Sequence, residues 1–186
     1  MSQKMIGVLV SGSGSNLQAI IDAIESGRID ARIAVVISDR PGAYALERAC
    51  KHGIKALCIS RNGRDRAALN TAILQALEEA GVDLVVLAGF LSILDERVVS
   101  RYKNAIINIH PALIPSFCGP GYYGERVHEA ALRYGVKVSG ATVHFVDEGT
   151  DTGPVILQEC VPVLHDDDAH TLAARVLKVE HRLLPE

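Results

Sequence analysis

Short apolar, β-branched runs alternate with longer segments of helical spacing from Ile6 to about Asn108. A strand, a helix and a further strand in this order form a βαβ unit, and repeated units give a parallel sheet with helices on both faces. We therefore expect an α/β fold with a Rossmann-like, mostly parallel twisted sheet. The predicted strands cover residues 6–10, 31–38, 55–59, 84–88 and 105–109, and the predicted helices cover 16–25, 43–52, 65–80 and 95–102.

The pattern changes after Val136, where two β-rich runs, 137–146 and 155–163, are separated by a loop. We expect these two runs to pair antiparallel. Further helices are predicted at 125–134 and at 168–184, the latter from the spacing of Leu172, Val176, Val179 and Leu183. Because no linker or repeat interrupts the chain, we predict a single domain over residues 1–186.

Composition narrows the classes of function. The 186 residues are 48% hydrophobic and 22% charged, as expected for a soluble globular domain. A net charge of −3 provides no broad basic face for nucleic acid, so we expect a small-molecule partner. No apolar run is long enough to span a bilayer. The start at Met1 has no signal-peptide pattern and the four cysteines form no C-x-x-C pair, so we expect a cytoplasmic protein with reduced thiols.

The loop after the first strand is Val10-Ser-Gly-Ser-Gly-Ser-Asn-Leu17. Small residues at the start of a helix let backbone amides approach an anion, so Gly14, Ser15 and Asn16 are expected to bind a phosphate monoester. A dinucleotide fingerprint would need a third glycine where Leu17 stands, although Asp39 follows the second strand as a ribose-binding residue would. The alternative is a tight turn with Ser15 or Asn16 as a helix N-cap.

A second motif, Asn108-Ile-His110-Pro111, follows the apolar end of a predicted parallel strand. Alternation sends Asn108 and His110 to one face at the carboxyl end of the strand, where ligands bind in open parallel sheets. An amide beside an imidazole can stabilise the oxyanion of an acyl transfer. We expect Asp151, in the loop 147–154, to hold this imidazole and raise its pKa. The alternative for His110 is a strand-end histidine bonded to backbone.

Other polar candidates have structural interpretations. We interpret His144 as a satisfied strand histidine and Cys118 as a loop residue without a base to activate it. The run from His165 to His170 is typical of a solvated turn with helix-starting acids rather than of a metal site. We predict no metal.

Nearly the whole chain resembles the phosphoribosylglycinamide (GAR) formyltransferases of the folate-dependent formyltransferase family. The Asn108-Ile-His-Pro111 and Asp151-Thr-Gly-Pro154 segments resemble those of formyltransferases and hydrolases that use folate, whereas the Ser-Gly-Ser-Gly-Ser-Asn loop is more specific to the GAR enzymes. The resemblance implies transfer of a formyl group from 10-formyltetrahydrofolate to the amine of GAR in purine synthesis. It also implies a phosphate-binding half (1–104), a catalytic and folate-binding half (105–186), and a monomer or homodimer.

The resemblance assigns roles to individual positions. It implies catalysis by Asn108, His110 and Asp151. The residues that it implies for GAR are Gly14, Ser15, Asn16, Leu177, Lys178, Val179 and Glu180, with a solvated helix face as the alternative for Glu180. The residues that it implies for formyl-folate are Arg66, Leu91, Ser92, Ile93, Leu94, Asn108, Asp147, Glu148, Gly149, Thr150 and Asp151.

Several departures from the family pattern and three rival functions accompany this resemblance. Ser92 stands where some relatives have an arginine, and the stretch 118–125 replaces a shorter, more familiar sequence. The rivals are a formyltetrahydrofolate hydrolase, a formyltransferase acting on methionyl-tRNA, and a non-catalytic phosphate-binding module. The tRNA enzyme would need a basic surface, and the hydrolase would not need the phosphate loop.

Overall fold

The structure is a computed structural model that describes residues 3–186. Met1 and Ser2, on which the predicted start of the domain falls, lie outside the described residues. The chain divides into two compact units, one up to Ile107 and one spanning Asn108–Glu186. The prediction of a single domain with halves at 1–104 and 105–186 stays a prediction.

The first unit consists of parallel strands alternating with helices. Its sheet has the order β3-β2-β1-β4, and β1 pairs in parallel with both β2 and β4. Val8 and Leu9 on β1 and Val36 on β2 are buried, because strands with neighbours on both sides and helices packed against them form the core of such a unit. The elements are β1 (Lys4–Val10), α1 (Ser15–Glu25), β2 (Ala31–Ser38), α2 (Tyr44–Lys51), β3 (Ala56–Cys58), α3 (Arg66–Glu79), β4 (Leu84–Leu87) and α4 (Glu96–Arg101).

Strand β5 (Ile106–His110) starts just before the division and lies mostly in the second unit. The strands of the second unit have the order β5-β6-β7. The other elements are α5 (Glu125–Tyr134), β6 (Val138–Phe145), β7 (Val155–Pro162) and α6 (Ala169–Leu183). Strands β6 and β7 pair antiparallel, with Val143 opposite Leu157. The predicted α/β fold class, with parallel strands first and an antiparallel pair later, is therefore confirmed.

Local chemistry explains where several helices begin. Asp65, Asp95 and Asp168 cap α3, α4 and α6 by accepting hydrogen bonds from backbone amides of the first turn. Helix α6 buries the four apolar residues whose spacing predicts it. Each such side chain contributes roughly 1.5–3 kcal/mol on burial.

Candidate active site

The predicted phosphate loop lies in the first unit between β1 and α1. Gly14 is the N-cap of α1 in the left-handed region, with φ of 73°, and no side chain caps this helix start. The alternative with Ser15 or Asn16 as N-cap is therefore wrong, because a residue without a side chain occupies the cap. A Cβ on Gly14 would lie 2.6 Å from Cβ of Ala45, so only glycine fits this position.

Arg48 adds a positive charge to this loop and was missed by the sequence analysis. Its Nε donates to the Ser13 carbonyl at 2.8 Å and its Nη1 donates to Gln18 Oε1 at 3.1 Å. The guanidinium stacks over the ring of Tyr44, 4.9 Å from the centroid. Arg48 belongs to no motif, and only the packing of α2 against the loop brings it to this place.

The segment Leu91–Leu94, predicted for folate, follows β4 in the same unit. The Ser92 hydroxyl is turned inward and donates to Asp39 Oδ2 at 2.6 Å. Asp39 is fully buried, so it is not placed as a ribose-binding residue would be. Arg66, predicted for the folate tail, donates from Nη2 to the Leu94 carbonyl at 3.0 Å and is otherwise exposed. Arg66 and the segment therefore lie together.

The second unit brings Asn108, His110, His144 and Asp151 together. Nδ2 of Asn108 lies 3.1 Å from Nε2 of His144, whose Nδ1 lies 2.9 Å from the Phe145 carbonyl. A carbonyl only accepts, so Nδ1 of His144 carries the proton, and Nε2 accepts from the Asn108 amide when the ring is neutral. His144, interpreted as a satisfied strand histidine, is indeed satisfied, but its partner is the predicted catalytic asparagine.

Asp151 contacts both histidines from a backbone conformation that is unusual for a residue with a side chain, with φ of 57°. Oδ2 accepts from the Gly119 amide at 3.0 Å and lies 3.6 Å from Nδ1 of His110, and Oδ1 lies 3.6 Å from Nε2 of His144. Burial raises the pKa of Asp151, but the nearby His144, the hydrogen bond from the Gly119 amide and the positive charge that either histidine carries when protonated lower it by more. The net shift of this pKa is downward, which favours the carboxylate.

His110 is nearly fully buried at the end of β5, and its Nε2 donates to the Phe117 carbonyl at 2.9 Å. Burial lowers the pKa of His110 more than the Asp151 carboxylate raises it. Asp151 raises this pKa, as the sequence analysis expects, but desolvation of the ring is the larger effect, so the net shift is downward.

His128 on α5 is a buried histidine that the sequence analysis did not single out. It is 4% exposed, and its Nδ1 has no hydrogen-bond partner among residues 3–186. Burial, and secondarily the charge of His110, lower the pKa of His128 to about 4. The flanking Val127, Ala130 and Ala131 are also buried, so the sequence signal is that of an ordinary apolar helix face.

The remaining predicted site residues lie on the loop 147–151 and on α6. Asp147 stabilises its own loop, because its carboxylate accepts hydrogen bonds from the Gly149 amide at 3.1 Å and from the Thr152 hydroxyl at 2.6 Å. Glu148 is exposed. Glu180 is buried, so the solvated-face alternative for it is wrong. On α6, Leu177 is half-buried, Lys178 is exposed, and Val179 is buried like Glu180.

Two weaker candidates, Cys118 and the run 165–170, have structural explanations. Burial, and secondarily the Asp151 charge, raise the pKa of the Cys118 thiol, which disfavours the reactive thiolate. Asp167 binds Arg175 and Asp168 caps α6, so the run 165–170 is the expected turn. Within residues 3–186 no group of three or more metal-ligating side chains is arranged around a common point. The predicted lack of a metal stays a prediction.

No helix among the described residues combines the length and the apolar character needed to cross a membrane.

Comparison with known proteins gives consistent matches. The family model described as "Formyl transferase" matches residues 4–186. The trifunctional purine biosynthetic protein adenosine-3 of Drosophila melanogaster is 44% identical over 98% of this chain, which spans 13% of that relative. The phosphoribosylglycinamide formyltransferase of Haemophilus influenzae is 40% identical over 98% of this chain and 84% of the relative. Glycinamide ribonucleotide transformylase 1 from Symbiobacterium toebii has a crystal structure with a TM-score of 0.93 and 48% identity, covering 98% of this chain and 84% of that one.

Proposed function

The chain belongs to the formyl transferase family, and from this membership we propose that it transfers the formyl group of 10-formyltetrahydrofolate to the amine of GAR in de novo purine biosynthesis. The cluster of Asn108, His110 and Asp151 in the second unit supports the proposal, because Asp151 contacts His110 directly and is linked to the Asn108 amide through His144. Relatives named as GAR formyltransferases support the same substrate.

The proposed reaction is direct transfer through a tetrahedral intermediate. The unprotonated GAR amine attacks the formyl carbon, the carbonyl becomes an oxyanion, and collapse breaks the bond to N10 of the folate. Asn108 and the protonated form of His110 stabilise the oxyanion. The proton lost by the amine reaches N10 through Asp151 and water, so no covalent enzyme intermediate forms.

Two sets of residues are proposed to bind the substrates. The amides of Gly14, Ser15 and Asn16 hold the GAR phosphate, with the nearby charge of Arg48, and residues 177–180 contact the rest of GAR. Arg66, residues 91–94 and the loop 147–151 bind formyl-folate. The scheme uses no metal ion. Cytoplasmic localisation and a monomeric or homodimeric state stay predictions.

The test follows the absorbance change as 10-formyltetrahydrofolate becomes tetrahydrofolate, with purified protein in the presence and absence of GAR. Turnover that depends on GAR supports the proposal. Turnover without GAR would indicate the hydrolase, and the lack of any turnover by folded protein would indicate the non-catalytic module. The control is His110→Ala, which should lower kcat by about 10²–10⁴-fold while its thermal unfolding stays cooperative.

A further inference from the structure

The segment Leu91–Asp95 contains neither helix nor strand, yet side chains from other parts of the first unit form hydrogen bonds with its backbone or with the Ser92 hydroxyl. Three of these side chains, those of Ser11, Asp39 and Asn70, are buried, with exposed fractions of 4%, 0% and 1%. The proposed reaction assigns none of the three a role. Buried polar groups are costly unless they are hydrogen-bonded, so their common target needs an explanation.

Ser11 and Asp39 hold the beginning of the segment. The Leu91 amide donates to Ser11 Oγ at 2.8 Å, and the Ser11 hydroxyl donates to Asp39 Oδ1 at 2.6 Å. The Ser92 hydroxyl donates to the other oxygen, Oδ2, at 2.6 Å. Asp39 therefore joins the ends of β1 and β2 to the segment through two short bonds to a carboxylate.

Asn70 on α3 holds the end of the segment. Its Nδ2 donates to the Ile93 carbonyl at 3.2 Å and to the Arg66 carbonyl at 2.9 Å, and its Oδ1 accepts from the Asp95 amide at 2.9 Å. One amide side chain thus fixes two backbone groups of the segment and one of the helix that carries Arg66.

We propose that Ser11, Asp39 and Asn70 are positioning residues that hold the backbone of Leu91–Asp95 in the conformation that binds the pterin ring of formyl-folate. This inference rests on the proposed function, which assigns residues 91–94 to folate. Leu91 and Ile93 are 38% and 56% exposed, so the segment presents an apolar surface on a backbone that these hydrogen bonds hold in place. Ordering before binding removes an entropic cost from the binding step.

The key variants are Asp39→Ala and Asn70→Ala, with Asp39→Asn as the conservative replacement. An asparagine can accept from Ser11 and donate to Ser92, so it can keep both connections. Asp83→Ala is the matched control, because Asp83 immediately precedes β4 and accepts a backbone hydrogen bond from Met5 at 2.9 Å at the opposite end of that strand. If Asp39→Ala does not fold, Ser92→Ala takes its place, because it removes only the half-buried hydroxyl at the end of the network.

The measurements are kcat, the KM for each substrate, and the affinity for tetrahydrofolate by calorimetry. For Asp39→Ala and Asn70→Ala we expect the KM for formyl-folate and the Kd for tetrahydrofolate to rise about tenfold. The KM for GAR should stay within about twofold, Asp39→Asn should restore most of the affinity, and Asp83→Ala should bind like the unaltered protein.

Unchanged tetrahydrofolate affinity in the folded variants would overturn the inference while leaving the proposed function intact. Equal increases in both KM values would also overturn it, since a purely structural role has no preference for one substrate. If the unaltered protein binds tetrahydrofolate but lacks turnover that depends on GAR, the proposed function fails, and the calorimetry still decides the inference.

Discussion

Both ring nitrogens of His110 face oxygen atoms, the Phe117 carbonyl on one side and Asp151 Oδ2 on the other. A neutral imidazole can donate to only one of them, whereas the imidazolium can donate to both. Burial opposes this charge and the carboxylate of Asp151 favours it, so the balance of the two effects sets how much imidazolium exists near neutral pH. The state of this residue pair therefore sets the pH range of the proposed reaction.

Replacing Asp151 by asparagine should move that range. Removal of the carboxylate lowers the pKa of His110 further, because burial then acts with less opposition. We expect kcat to fall by about 10²-fold or more and the alkaline limb of the kcat/KM profile to move to lower pH. The measurement is a pH–rate profile of both proteins, and an alkaline limb at the same pH in both would contradict the proposed role.

His128 should make the protein less stable in mild acid. Its pKa is about 4 in the folded chain and about 6.5 when unfolded, so below pH 6.5 the unfolded chain binds a proton that the folded chain does not. Stability from this group is complete above pH 6.5 and is lost progressively as the pH falls towards 4. The free energy of unfolding should drop by about 2 kcal/mol between pH 7 and pH 5.

The measurement is urea unfolding at both pH values for the unaltered protein and for His128→Gln. The other titrating groups contribute nearly equally to both proteins, so the difference in pH dependence reports on His128. An equal drop in the two proteins would show that this histidine is not buried in its neutral form.

Single residues also show how far sequence can predict this site. Asn108, His110 and Asp151 could be proposed from the sequence because a strand end and prolines adjoin the first two and a glycine-containing loop carries the third. The partnership of His144 with Asn108 depends on which strands are neighbours, and the low pKa of His128 depends on burial among apolar neighbours. Neither register nor burial of one polar residue follows from local spacing.

At the scale of elements, the turn into α1 depends on the left-handed conformation of Gly14. Gly14→Ala should lower the free energy of unfolding by about 1–3 kcal/mol, because the new Cβ adds strain at positive φ and overlaps Ala45. It should also raise the KM for GAR, since the amides of this helix start would shift. Chemical denaturation and steady-state kinetics measure the two effects.

Gly12→Ala is the matched control for stability, because a Cβ at that position meets no atom within 4 Å. Equal losses of stability in the two variants would contradict the packing argument at Gly14.

Element bounds follow the sequence closely because capping chemistry is local. Asp65, Asp95 and Asp168 precede their helices, and Gly53, Gly81 and Gly135 adopt positive φ after theirs. The start of α1 could not be predicted in the same way, since serine, asparagine and glycine all stand there and all are good N-caps. The choice of Gly14 depends on the approach of α2, which is a tertiary contact.

At the scale of the whole molecule, ligand binding should appear as thermal stabilisation. A ligand at about 100 times its Kd adds roughly 2.7 kcal/mol of stability, which for a chain of this size corresponds to a Tm increase of roughly 5–10 °C. We expect GAR and tetrahydrofolate each to produce such an increase in the unaltered protein. Differential scanning calorimetry with each ligand alone measures it.

Gly14→Ala separates the two ligands in this experiment. It should lose most of the Tm increase caused by GAR and keep the increase caused by tetrahydrofolate, because the phosphate loop is proposed to bind only GAR. Loss of both increases, or of neither, would contradict the assignment of this loop.

The inward orientation of Ser92 has a consequence for inhibitor selectivity. An inhibitor with an anionic group gains affinity where a guanidinium at this position can pair with that group. Here the side chain is a neutral hydroxyl already bonded to buried Asp39. Inhibitors that depend on a cation at this position should therefore bind this protein weakly, whereas inhibitors that contact only the backbone of residues 91–94 should not lose affinity.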